Sequence, residues 1–282
     1  MSAALHPVVT LAICVVAARF LIRAKWVRRA PGSGIALWQM LAATWVLSLA
    51  GMLITLGLAP YDAPVLQALP EWSSDSLSTV AQDVLVVSGL AVLAVLAAAL
   101  VTSWCAVARI RRRHRDVLAL VGRTDDAAPG ALVVDHPAAV AYCLPGTPSS
   151  VVLSTGALRS LTTAELHAVL AHEHSHARER HDLVLLPFVA LRRCAPRAAD
   201  AVALLVEMRA DDRACRDHSP EVLASALHRF TAGPPAGALG TMATSARVER
   251  INSQAGTTTW HRWTALLSGL SLVATSLSFL VC

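Results

Sequence analysis

Apolar and polar positions divide this chain into long uncharged windows and one mixed stretch. Residues 7–22, 35–59 and 84–108 are almost free of charge, and residues 263–282 carry none. Each is close to or above the length a helix needs to cross a hydrocarbon core, about 20 residues for about 30 Å. Between the third and fourth windows lie 154 residues, 109–262, enough for one small domain with its own core. There the pattern shifts to short β-prone runs at 131–134, 138–144 and 151–153, broken by Pro137, Pro145, Gly146 and Pro148. Helical periodicity follows. From Ala164 to Ala177 there is no Pro or Gly, and Leu166, Val169 and Leu170 supply an apolar face. Thr162 with Glu165 reads as a capping box, and Leu161 with Leu166 as the hydrophobic staple around it. Residues 183–191 are apolar, too short to span and carry Pro187, so a core helix or one lying against a membrane is expected. Helices over 198–216 and 221–230 come next, then a Gly/Pro/Ala linker at 231–240 that is a candidate self-cleavage site. The pattern predicts an α-helical integral membrane protein with four transmembrane helices and a small α+β domain. Its divisions are 1–115 for three spans with their loops, 116–260 for the domain, and 261–282 for the fourth span.

Composition agrees with the pattern, and charge orients it. The chain is 55% hydrophobic and 15% charged, with a mean hydropathy of +0.54. Arg23, Lys25, Arg28 and Arg29 follow the first window rather than precede it, so a mature helix is expected there and not a signal peptide. Residues 60–83 contain Asp62, Glu71, Asp75 and Asp83 and no Lys or Arg, whereas Arg109, Arg111, Arg112, Arg113 and Arg115 follow the third window. The positive-inside rule then makes the first loop and the domain cytoplasmic and both termini extracytoplasmic, in a multi-pass protein of the cell membrane. These flanks account for most of the net charge of +5, so no direct contact with nucleic acid is expected. The six cysteines (Cys14, Cys105, Cys143, Cys194, Cys215, Cys282) show no paired spacing, which argues against a zinc–thiolate site.

Chemistry is concentrated in His172-Glu173-His174-Ser175-His176. Two imidazoles four residues apart stand one above the other on a helix and can reach one tetrahedral Zn2+. The residue after the first His lies about 100° round the helix, where a Glu can take a proton from a water that the metal polarises. His172 and His176 are thus the expected metal ligands and Glu173 the catalytic base. The charged exit, Arg178-Glu179-Arg180-His181-Asp182, places this motif in water or headgroups rather than among acyl chains. A third ligand must leave one position open. Glu207 is the leading candidate, with Asp211 one turn later to brace a ligating His; Asp182, Asp200 and Asp212 remain alternatives.

Val151-Val152-Leu153-Ser154, Leu161, Glu165-Leu166, the run from Ala168 to His176, Arg180-His181-Asp182 and the Glu207-x-x-x-Asp211 element together resemble the BlaR/MecR-type antirepressor membrane metallopeptidases. These are relatives of the HtpX and CAAX prenyl protease group. Layout carries the likeness over most of the chain, and specific motifs carry it from about residue 138 to 215. The resemblance implies a gluzincin-like zinc-protease domain holding one Zn2+ per chain through His172, His176 and Glu207, with Glu173 as general base. It also implies an edge strand at Ala138, Ala139, Val140, Ala141 and Tyr142 that pairs with an extended substrate. The antibiotic sensors of that family carry a penicillin-binding domain after the fourth span, which these residues lack. A signal is therefore expected to enter through the spans, the 60–83 loop or a partner protein.

The function expected is a membrane-embedded zinc metalloendopeptidase that cuts a cytoplasmic protein, such as a winged-helix repressor, in signal transduction. Arg247 or Arg250 is a candidate donor to the developing oxyanion, beside the plainer reading of a juxtamembrane basic pair. Alternatives are an HtpX-like quality-control protease and a non-proteolytic zinc-binding transducer, against which the retained Glu173 argues. The expected partners are a protein or peptide substrate, the lipid bilayer and a second copy of the chain in a homodimer.

Overall fold

The computed structural model describes residues 2–253 apart from 76, 147–148 and 232–237, together with 267, 269–271 and 273–274. They fall into two compact units, one of Met1–Thr102 with Thr257–Cys282 and one of Ser103–Gly256.

The first unit holds α1 (Ser2–Arg23), α2 (Lys25–Arg29), α3 (Pro31–Leu58), α4 (Val65–Ser74) and the first part of α5 (Val80–Val121). Pro31 opens α3, where its fixed φ suits a helix and its missing N–H costs nothing. Glycines let α3 and α5 approach closely. A Cβ at Gly57 would stand 2.6 Å from Val86 Cγ2 and 2.9 Å from the Gln82 carbonyl oxygen, and one at Gly89 would stand 2.6 Å from Ile54 Cγ1. Small residues of this kind allow helices to pack by van der Waals contact where no hydrophobic drive exists between them. Residues 60–83, read from sequence as a loop, contain α4. Its interior Pro70 is tolerated because the ends are tied down: Tyr61 donates to Asp75 at 2.8 Å and the Trp72 indole to Asp83 at 2.9 Å.

Two helices, over Pro31–Tyr61 and Val80–Val121, are long and apolar enough to cross a membrane among the described residues. The expected first window is helical in α1. The fourth falls largely outside the described residues, as does the centre of the expected 231–240 linker. The third window does not end at 108, because α5 runs on through the arginine cluster to Val121.

The second unit contains the remainder of α5, strands β1 (Ala131–Val134), β2 (Ala141–Leu144) and β3 (Ser150–Ser154), and helices α6 (Thr155–Ser160), α7 (Thr163–Arg178), α8 (His181–Ala190), α9 (Pro196–Ala214), α10 (Pro220–Thr231) and α11 (Ala238–Asn252). The sheet order is β1-β3-β2, with β3 parallel to β1 and antiparallel to β2. Buried Val151 and Leu153 of β3 meet Leu166, Val169 and Leu170 of α7, so the sheet lies directly against the motif helix. α11 was not expected as a helix.

The expected strand over 138–144 is corrected to 141–144. Ala138, Ala139 and Val140 precede the strand, held by the Ser154 hydroxyl, which donates to the Ala138 carbonyl at 2.6 Å and accepts from the Val140 N–H at 2.9 Å. Gly156 makes room for this segment. A Cβ there would meet the Pro137 carbonyl oxygen at 2.1 Å.

Candidate metal centre

The capping box predicted for α7 is present: Thr162 N–H donates to Glu165 Oε2 at 2.8 Å, and Glu165 N–H to Thr162 Oγ1 at 3.3 Å. Glu165 also accepts from Ser225 at 2.6 Å and from Arg229 at 3.0 Å, so the cap fastens α10 to the start of α7. With the helix begun there, His172 and His176 stack at i and i+4, their Nε2 atoms 3.2 Å apart. α9 packs beside α7 and brings Glu207 to both rings, at 3.5 Å from His172 Nε2 and 3.6 Å from His176 Nε2.

Among the described residues these three offer ligand atoms within 4.8 Å of one another. A tetrahedron with bonds of about 2.0–2.1 Å has edges of about 3.3–3.4 Å, close to the 3.2 Å between the two imidazole nitrogens and to the 3.5 Å from Glu207 Oε2 to His172, while Oε1 faces His176. Charge fits as well. Glu173, Glu207 and Asp211 face one guanidinium, that of Arg247, leaving a net negative cluster that suits a divalent cation. The residues present therefore fit Zn2+.

Asp211 is almost fully buried, with Oδ1 3.0 Å from His172 Nδ1, a close but poorly directed approach. Arg247 of α11 holds it bidentately, at 2.9 and 2.6 Å, and also reaches Glu207 Oε2 at 3.0 Å. Burial alone would raise both carboxyls. The nearby His172 ring and the Arg247 guanidinium outweigh it and bring Glu207 and Asp211 down to about 2. Burial lowers His176 to about 4, while at His172 Asp211 and Glu207 overcome burial and lift the ring to about 9. Glu173 is raised, chiefly by burial.

The Cys143 backbone N–H of β2 faces Glu173 and lowers its carboxyl against the burial that raises it. Antiparallel pairing alternates inward and outward groups along a strand. Ser154 N–H bonds the Val140 carbonyl, so Val140 and Tyr142 turn their backbone groups toward β3, and Ala141 and Cys143 turn theirs to the free edge. Cys143 is a site residue that sequence reasoning missed; strand parity within 138–144 was the available signal. Tyr142 has a structural role, its hydroxyl 2.6 Å from His114 Nε2 of α5 and its ring packed with Leu118. The thiols of Cys143 and Cys215 are pushed by burial up to about 11, which disfavours thiolate ligation.

The alternative ligands are engaged elsewhere. Asp182 pairs with Arg111 at 2.8 Å, Asp200 with Arg192 at 3.1 Å and Asp212 with Arg250 at 2.5 Å. Of the two oxyanion candidates, Arg247 stands at the centre and Arg250 at Asp212. His174 turns away, its Nδ1 2.7 Å from the Leu170 carbonyl.

Residues 106–232 match the model of peptidase family M48, a family of zinc metallopeptidases. The match covers under half of the chain and includes His172, Glu173, His176, Glu207 and Asp211 but not Arg247; it supports the M48 metallopeptidase family. No curated protein and no solved structure matches the chain.

Proposed function

We propose that this protein is a membrane-anchored zinc metalloendopeptidase that cuts an extended segment of a cytoplasmic protein. The grouping of His172, His176 and Glu207 carries the reading: the two Nε2 atoms are 3.2 Å apart, with Glu207 Oε2 3.5 Å from the first and Oε1 3.6 Å from the second. When bound, the ion supplies Lewis-acid polarisation of the scissile carbonyl and of the attacking water. Glu173, next to the first ligand, takes the water's proton on its carboxylate and passes it to the leaving amine. Its raised value suits a group that must do both. The outward N–H and C=O groups of Ala141 and Cys143 form a template for an added strand, which orients the substrate backbone beside Glu173. Substrate pairing would occupy the Cys143 N–H that faces Glu173. Arg247, whose Nη1 contacts Glu207, would offset developing negative charge by the positive charge it holds beside the site.

Membrane attachment is supported by α5, which leaves Val87, Leu90, Val95, Val101 and Trp104 exposed. The arginine cluster that follows supports a cytoplasmic peptidase domain. A repressor as substrate, with a role in signal transduction, rests on the resemblance in layout. One defined cut in one repressor would favour it, and many cuts in unfolded membrane proteins would favour quality control.

The test compares zinc stoichiometry and cleavage for the full chain in detergent with those of Glu173→Gln. The variant should retain the metal and lose about 10²–10⁴-fold in cleavage rate. Undiminished proteolysis would remove Glu173 from its role, and a wild-type protein that binds no metal would end the enzyme reading.

A further inference from the structure

His172 is backed by a carboxylate, but His176 is backed by a second imidazole. After α7 the chain reverses at Arg180, whose backbone is left-handed (φ 50°, ψ 48°), and His181 becomes the first residue of α8. That reversal carries the His181 ring back against His176. The two Nδ1 atoms are 2.9 Å apart and the rings meet nearly edge-on, at 83°. His181 is buried, with 4% of its side chain exposed, and its Nε2 lacks a hydrogen bond while Glu179 Oε2 stands 3.5 Å away. Glu179 is fixed in turn by Arg209, at 2.8 Å, and by Arg213, both from α9.

Two ring nitrogens at this distance must divide the roles, one donating and one accepting. His176 presents Nε2 to His172 and Glu207, so a ligand lone pair on Nε2 requires the proton on Nδ1. His181 then accepts at Nδ1, and its own proton sits on Nε2, facing Glu179. We propose that His181 is the positioning residue for His176: it fixes the tautomer and ring orientation through an imidazole relay anchored at Glu179. The centre would thus have two braces. Arg247 and Asp211 hold His172, while Arg209, Arg213, Glu179 and His181 hold His176. Partners behind a metal-bound imidazole typically govern metal affinity by about 10–100-fold.

This inference rests on the metal-centre reading, and the experiment separates the two. Zinc affinity of the full chain in detergent is measured by competition with a chelator for wild type, His181→Phe and His181→Asn. The ring-nitrogen ¹⁵N shifts of His176 report its tautomer in the metal-free proteins. His181→Phe removes the acceptor and should bind zinc about 10–100-fold more weakly, with His176 no longer confined to one tautomer. His181→Asn places an amide oxygen near the former Nδ1 and should recover most of the affinity. Wild-type affinity in His181→Phe with an unchanged His176 tautomer overturns the proposal and leaves the metal centre standing. A wild-type His176 protonated on Nε2 overturns it even if neither variant folds. Failure of the wild type to bind zinc removes both readings.

Discussion

Arg247→Met tests how the centre is held together. Arg247 and Asp211 have side chains only 10% and 1% exposed, and the guanidinium spans both Asp211 and Glu207. Removing it leaves a buried carboxylate without its main partner, and breaking one side of such a pair costs about 3–5 kcal/mol. Arg192 provides a control on the same protein. Its pair with Asp200 is 61% and 41% exposed, and Arg192→Met should cost no more than about 1 kcal/mol. Because the chain has two compact units, a single unfolding midpoint is a poor measure. Amide hydrogen exchange along α7 and α9, in chelator, reports the local opening free energy instead. At about 1.4 kcal/mol per tenfold, Arg247→Met should speed exchange there by between about a hundredfold and a few thousandfold. Adding Asp211→Leu removes the stranded charge and should recover a large part of the loss. If Arg247→Met accelerates exchange no more than Arg192→Met, α11 does not brace α9 through this residue.

Three further outcomes are expected. Glu207→Ala should abolish tight zinc binding, whereas Asp211→Ala should weaken it by about 10–100-fold, and equal, negligible effects in equilibrium dialysis would dismiss Glu207 as a ligand. Glu165→Gln loses charge-assisted bonds at the α7 cap and should cost about 1.5–3 kcal/mol at neutral pH, read as the local opening free energy from amide exchange along α7 and α10. Burial raises this carboxyl, but bonds from Ser225, Thr162 and Arg229 outweigh it and hold the group at about 2, below its ordinary 4.5. A lowered value gives stabilisation that is complete above about 4.5 and fades as pH falls to about 2, so the variant's deficit should shrink on acidification. A deficit that stays constant with pH would refute this. Gly57→Leu must displace Val86 and the Gln82 carbonyl and should cost about 1–3 kcal/mol in the local opening free energy read from amide exchange along α3 and α5 in detergent; unchanged exchange would reject the close approach of the two helices.

Local signals were readable in advance. The Thr162–Glu165 box and the Pro- and Gly-free run set the motif helix to within a residue at each end, because a cap acts on its own first turn. Strand β1 was equally plain, bounded by a turn glycine and a following Pro. Features that depend on contact were not. Strand β2 lost three expected residues to the Ser154 hydroxyl, and no periodicity announces a side chain competing with a sheet ladder. α4 was hidden because Pro64 and Pro70 look like breakers until Asp75 and Asp83 are seen tying its ends. α11 was hidden because a short stretch of small residues, mostly Ala and Thr, with two arginines also reads as a basic flank.

The choice of third ligand shows why such features resist a reading of sequence. Asp182, Asp200, Glu207 and Asp212 are all carboxylates on helices, and spacing alone can at most rank them. The fold sorts them by which cation each meets. Arg111 comes from α5, some seventy positions before Asp182, and Arg250 from α11, well after Asp212. Each pairing neutralises a carboxylate that would otherwise compete for a metal. Glu207 differs in kind: it shares Arg247 with Asp211 and turns its oxygens toward two imidazoles. Its selection as the expected ligand depends as much on arginines placed at its rivals as on its own position. Freeing a rival should therefore not recreate the site, because Asp182, Asp200 and Asp212 lie outside the cluster formed by His172, His176 and Glu207.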